Sequence, residues 1–272
     1  MPPAPRSGRA AVHQTAASQI AGYAKLLARG PVAQTDRAAF PKHWDAVFDR
    51  QGMKRTKEKF VPTLNGIVPL AGKRVLEVGC GIGHYTSHLA PLCREVVAID
   101  PNDVAIAAAK KSLQVPHVAF RVLSAERISS LKEVFDVVIF TLSLHHIPEE
   151  LMTRAIDEAI QVTRREGHIV FLEPAQEGTF FEAELAYQTC DGDERAAKTR
   201  AYDAMLSHQR LIPLAECEDQ TEFRWDSMDD FLETMRPRAN LTELEPFLSS
   251  HDFKLVAKRR INIFRVRKPA KS

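Results

Sequence analysis

Three glycines at alternate positions, Gly79, Gly81 and Gly83, interrupt the stretch RVLEVGCGIGHYT, residues 74–86. They follow an apolar run and precede a segment able to form a helix. A bare turn there reverses the chain tightly, lets a ligand approach the backbone and aims a helix N-terminus at negative charge. Asp100 stands 21 residues beyond Gly79 and ends the next apolar run, EVVAID. A carboxylate at that place bonds ribose hydroxyls and repels a 2′-phosphate. The two features together point to an adenosine-containing ligand of modest negative charge, such as one carrying a carboxylate. A dinucleotide turn would place its third glycine one position later, where this chain has His84.

His145 and His146 follow a later apolar run in FDVVIFTLSLHHIP. A neutral imidazole with a pKa near ~6.5 can take a proton from a hydroxyl or ammonium. The plainer reading is that one ring packs under the ligand while the other caps the turn before Pro148. Glu173 either meets an acceptor amine or closes the sheet edge. Tyr187, Tyr202 and His208 are weaker candidates for an acceptor pocket, because aromatic residues on helices more often belong to the core. Trp44 and Lys54 precede the sheet and are weak candidates as well. The MRPR segment, with Arg236 and Arg238, reads as a solvated basic turn.

These residues need a scaffold, and the patterning supplies one. RVLEV, EVVAID, HVAFRV, FDVVIFTL and HIVFLEP are apolar strand candidates. Between them lie helix candidates over about 84–90, 103–113 (with Asp103 as N-cap) and 149–165. Strands that are apolar throughout and separated by helices imply a parallel sheet covered on both faces. After Pro174 a mostly helical stretch is too long for an ordinary crossover and reads as an inserted lid. QTEFRW, a helix capped by Ser227 with Asp230, a helix from about Leu241 and a last strand KRRINIFRVRK complete the chain. Residues 40–64 read as helical segments, with Pro62 as punctuation. The divisions are a basic arm (1–35), a helical cap (36–72), a ligand-binding core (73–174), a helical insertion (175–218) and the rest of the sheet (219–272).

A chain of 272 residues with 44% hydrophobic and 26% charged residues is an ordinary soluble composition. The formal charge of +2 argues against a nucleic-acid binder that works by a strong field. Cys80, Cys93, Cys190 and Cys217 form no CxxC pair, so they read as reduced thiols in a cytosolic setting, with no metal site expected. No apolar run approaches the roughly 20 residues that span a bilayer. Residues 1–35 contain no acid, which fits either an organellar targeting segment or a helix over 12–29 packed on the domain.

VLEVGCGIGHYT, VVAIDPND, FDVVIFTLSLHHIP and GHIVFLEP resemble, in order and spacing, the motifs of class I S-adenosylmethionine-dependent methyltransferases of the small-molecule type. The resemblance covers about residues 73–174. It implies a Rossmann-like, doubly wound α/β fold with a seven-stranded, mostly parallel sheet whose last strand is antiparallel, together with the N-terminal helices and the helical lid. It also implies roles. Gly79, Cys80 and Gly81 would run under the methionine part of S-adenosyl-L-methionine, with Glu77 holding that turn and its ammonium group. Asp100 would take the ribose hydroxyls, with Pro101 and Asn102 flanking the adenine. Ser124, Ala125 and Glu126 would meet the adenine edge, although an Asp is usual at the place of Ser124. Thr141, Leu142 and Ser143 would line the sulfonium end, and His145 and His146 would face the acceptor.

The expected function is methyl transfer to an oxygen or nitrogen of a small molecule by direct, metal-independent displacement. No nucleic-acid or membrane partner is expected, and the location is expected to be cytoplasmic unless the first residues are a targeting segment. The alternative is a non-catalytic cofactor-binding or partner subunit that keeps the fold without turnover.

Overall fold

The computed structural model describes residues 52–267. The expectations for residues 1–35, for Trp44 and for the start of the helical cap lie outside the described residues. The apolar runs become the inner strands: β2 (Arg74–Val78), β3 (Glu95–Asp100), β4 (Val118–Val122), β5 (Phe135–Thr141) and β6 (Thr163–Pro174). They are parallel neighbours in the order β4-β3-β2-β5-β6. Their C-terminal ends therefore share one edge of the sheet, where ligands bind in such folds. Antiparallel strands follow on the far side: β8 (Lys254–Val266) pairs with β6, β7 (Leu211–Trp225) with β8, and β1 (Met53–Thr56) with β7.

Among the described residues the sheet thus has eight strands, where seven were expected. The eighth is β1, MKRT, in the segment expected to be helical. Its composition carries almost no strand signal, because it is fixed by pairing Met53 with Trp225, far along the chain. β7 is also much longer than QTEFRW, so residues 211–218 belong to the sheet and not to the insertion. Its first half is largely exposed and passes Pro213 at a register shift, which hides the strand pattern. β6 begins earlier than expected, at Thr163, which pairs with Phe135 across an irregularity.

Helices cover both faces. On one side α1 (Phe60–Ile67), α2 (His84–Leu89) and α3 (Asp103–Ser112) bury Leu64, Tyr85, Leu89 and Ala109 against Val75, Val96 and Val137. Pro62 sits inside the first turn of α1, where its missing N–H leaves no bond unmade. The other face carries α4 (Glu149–Val162), whose Met152, Ile156 and Ile160 pack on Leu76, Phe140 and Phe171. The insertion forms α5 (Thr179–Tyr187) and α6 (Arg195–Ser207). A third cluster joins α5 to α7 (Met228–Met235), α8 (Leu241–Ser250) and the end of β7. Ser227 caps α7 as expected, accepting from Asp230 N at 3.1 Å. Asn102 and not Asp103 caps α3, since its side chain accepts from Val104 N and Ala105 N. No described helix is long and apolar enough to cross a membrane.

Phe171 is fully buried in β6, stacked on Phe140 at 4.9 Å and edge-on to Phe264 at 5.8 Å between ring centroids. Phe171→Ala is expected to lower unfolding stability by about 3–5 kcal/mol, measured by chemical denaturation.

Candidate active site

The turn between β2 and α2 is built around Gly79 and Gly83, whose φ angles of +78° and +90° favour glycine. A Cβ on Gly79 would lie 2.2 Å from Ser143 Cβ, so the turn presses directly against the segment after β5. Gly79 N and Cys80 N both donate to Ile99 O, at 2.8 and 3.0 Å. Gly81 N donates to Asp100 Oδ2 at 2.9 Å, and Asn102 N donates to Oδ1 at 2.8 Å. Asp100 is fully buried and clamps the glycine turn to the start of α3.

Glu77 braces the same turn from beneath. Its buried carboxylate accepts from Thr86 Oγ1 of α2 at 2.6 Å and Thr141 Oγ1 of β5 at 3.1 Å. Ser143 Oγ donates to Val78 O at 2.8 Å. Thr141 and Ser143, expected to line the site, are buried and brace the turn from within, while Leu142 lines a cavity. It does so from a left-handed backbone, φ +53°, a conformation held at a cost of roughly 1–3 kcal/mol. Farther along the edge Ser124 Oγ donates to Glu126 Oε1 at 2.6 Å, beside buried Ala125, while Pro101 is exposed. All of the residues expected at the cofactor thus meet at the C-terminal ends of β2, β3, β4 and β5.

The histidine pair is enclosed rather than open. His145 is buried and its Nδ1 is hydrogen-bonded to Glu173 Oε2 at the end of β6. Glu173 Oε1 accepts from Leu144 N at 2.9 Å and Ser143 N at 3.2 Å. Burial pushes the Glu173 carboxyl up to about 8, against the opposing pull of those N–H donors and Lys198. The His146 ring lies 4.0 Å from that of His145, and its Nδ1 is 3.6 Å from Glu194 Oε1.

The insertion contributes residues that the sequence reading missed. Lys198 of α6 is buried, with its Nζ 3.0 Å from Glu184 of α5 and 3.6 Å from Glu194. Burial raises Glu184 to about 7 and Glu194 to about 8, with Lys198 opposing both shifts and Asp191 adding to them. In an insert rich in both signs of charge, nothing local distinguishes these residues from a solvated helix face.

An apolar cavity lies beside this cluster, walled by Leu142, Pro174, Phe180, Phe181 and Phe223, with Glu184 among its polar residues. Arg55 also lines it, with its guanidinium 5.6 Å from the Tyr85 ring centroid and 5.5 Å from that of Phe223. Other candidates prove structural. Tyr187 is core, and its hydroxyl donates to Glu243 O. Arg238 donates to the carbonyls of Gln188 and Cys190. Lys54 pairs with Asp226, and His208 lies 3.5 Å from Asp157. Tyr202 is half-buried within the field of Glu173, and burial raises its phenol above the usual range.

The sequence pattern of the "Methyltransferase domain" family matches residues 76–171. An uncharacterized methyltransferase of Staphylococcus carnosus is 32% identical over 123 residues, 44% of this chain and 54% of the relative. A ubiquinone biosynthesis O-methyltransferase of Bradyrhizobium diazoefficiens is 34% identical over 91 residues, 33% of this chain and 36% of the relative. The chain spans about half, or less, of the length of the curated relatives it matches. Among solved structures, one described under the conversion of a disulfide bond into a thioacetal group during echinomycin biosynthesis shares the fold. It superposes with a TM-score of 0.56 at 17% identity, covering 79% of this chain and 84% of that one.

Gly79→Ala is expected to destabilise the chain by at least ~2 kcal/mol, since it combines positive φ with a backbone-braced neighbour; thermal and denaturant unfolding check it. A pH dependence follows from the buried acids. Glu173, Glu184 and Glu194 bind their protons more tightly in the folded chain than in the unfolded one. Their protonated forms favour folding below the ordinary carboxylate range, and that contribution is lost as pH rises through 7–8. The thermal midpoint is expected to fall between pH 5 and 8.5. Glu194→Gln, beside Lys198, Asp191 and His146, is expected to flatten that fall.

Proposed function

We propose, from the match of residues 76–171 to the methyltransferase-domain pattern, that the chain transfers a methyl group from S-adenosyl-L-methionine to an oxygen or nitrogen of a small molecule. The observation that carries the reading is the meeting, at one sheet edge, of a bare glycine turn, the strand-ending Asp100 and an apolar cavity at Leu142. A carboxylate oxygen accepts two hydrogen bonds, so each Asp100 oxygen has the capacity to hold a backbone N–H and a ribose hydroxyl together. The backbone of Gly79, Cys80 and Gly81 carries no bulky group over the methionine chain, and Glu77 keeps that turn rigid. Pro101, Asn102, Ser124, Ala125 and Glu126 border the adenine place. These features support the fit of that cofactor.

When bound, the cofactor supplies an electrophilic methyl on a positively charged sulfur. The protein's own task is alignment and exclusion of water, because the reacting charges cancel as the new bond forms. The aromatic and aliphatic walls of the cavity provide the dry part, and Phe180, Phe181 and Glu184 of α5 close one side of it. His145, bonded through Nδ1 to Glu173, is the candidate proton acceptor. His146, against Glu194, borders the acceptor. No step in this scheme needs a metal.

Calorimetry with S-adenosylmethionine and its demethylated product is expected to give micromolar binding to the wild type, at least about tenfold weaker binding to Asp100→Ala, and none for NADH. Absence of binding by either cofactor form ends the proposal. In an acceptor screen, His145→Ala is expected to lower kcat by about 10²–10⁴ while the cofactor affinity stays within twofold. Cofactor binding with no product from any acceptor favours a non-catalytic subunit instead.

A further inference from the structure

Behind the glycine turn, on the α1–α3 side of the sheet, lies a second group of chemistry-bearing side chains that methyl transfer does not use. His84 and His88 stand four residues apart on α2, which places both on one helix face. Their ring centroids are 4.8 Å apart. Glu58, from the loop between β1 and α1, reaches the same place, with its Oε2 2.8 Å from His84 Nε2. One donor atom from each of the three residues falls within 4.8 Å of the others. His88 is exposed and His84 and Glu58 are partly so, giving the group a route to solvent.

We propose that Glu58, His84 and His88 form a site for a divalent transition-metal ion of the zinc and cobalt class. Two imidazoles and one carboxylate are the donor set such ions prefer, and three protein ligands leave a fourth position for water. Bond lengths near 2.0–2.1 Å set the donors of a tetrahedral ion about 3.3 Å apart. The His84–Glu58 contact therefore opens by about half an ångström, and exposed His88 swings in from a distance within side-chain reach. The other oxygen of Glu58 is already engaged, accepting from Tyr85 Oη at 2.5 Å and Arg259 Nη1 at 2.8 Å. Those bonds fix the carboxylate as outer partners fix the ligands of metal sites.

The donors of the group, not the charges around it, decide which ions it takes. Arg55 and Arg259 both act on Glu58, and Asp219 binds the second nitrogen of Arg259. The guanidiniums oppose every dication alike, and it is the two imidazoles, poor ligands for magnesium and calcium, that give transition metals the advantage. An ion here ties the β1–α1 loop to the first turn of α2, directly after Gly83. The site stands independently of the methyl-transfer reading.

The test titrates the full chain with cobalt(II) and zinc(II), with magnesium as a comparison, following the cobalt d–d absorption and the metal content per chain. The expected result is one bound equivalent, a visible tetrahedral cobalt spectrum displaced by zinc, and a zinc-dependent rise in thermal midpoint. His88→Ala, a change at the surface, is expected to weaken binding at least about tenfold and to abolish the spectrum. His84→Gln is expected to do the same. A cobalt spectrum and affinity unchanged in both variants, or no binding in the wild type below millimolar metal, would overturn the proposal.

Discussion

Two carboxylates with no solvent exposure, Glu77 and Asp100, hold the candidate site in shape. A buried charge is tolerated only where hydrogen bonds replace lost water. Glu77 meets that demand with two threonine hydroxyls from different elements, and Asp100 with two backbone N–H groups. Each carboxylate therefore forces its donors into place. The glycine turn, the first turn of α2, the end of β5 and the start of α3 are fixed relative to one another by these few bonds. The missing Cβ of Gly79 lets the turn come close enough to Ser143 for the arrangement to close.

The opposite side of the cavity is held by a different kind of balance. Glu173, Glu184 and Glu194 are buried or nearly so around the single lysine Lys198 and the paired histidines. One fixed cation does not neutralise three carboxylates, and all three are pushed toward their protonated forms. The cluster joins the sheet edge to the inserted helices through protons and ion pairs as well as through packing. Its strength depends on the protonation state, whereas that of the hydrophobic faces on either side of the sheet does not. The part of the fold that borders the cavity is thus sensitive to its electrostatic surroundings.

Between these two constructions runs β5 and the segment after it. Thr141 and Ser143 face inward to the glycine turn, while Leu142 takes a left-handed conformation and faces the cavity. Next come Leu144 and His145, bound to Glu173. Five consecutive residues thus run from the glycine turn to the Glu173 cluster.

The sequence by itself determined the inner sheet, because strands buried on both faces must be apolar along their whole length and RVLEV, EVVAID and FDVVIFT are. It also determined the glycine turn and the acid after it, since positive φ and close approach restrict residue type at single positions. Local signals of this kind survive in one dimension. Only the tertiary structure decided that Asn102 and not Asp103 caps α3, that Thr141 and Ser143 are braces, and that MKRT is a strand. The same holds for Glu184, Glu194 and Lys198, whose composition suggests a solvated helix face until the insertion folds onto the sheet edge. For β1 and for this cluster the deciding partner lies far away in the chain. Pairing with Trp225 and burial beside Glu173 are energies that exist only after the distant segment has arrived.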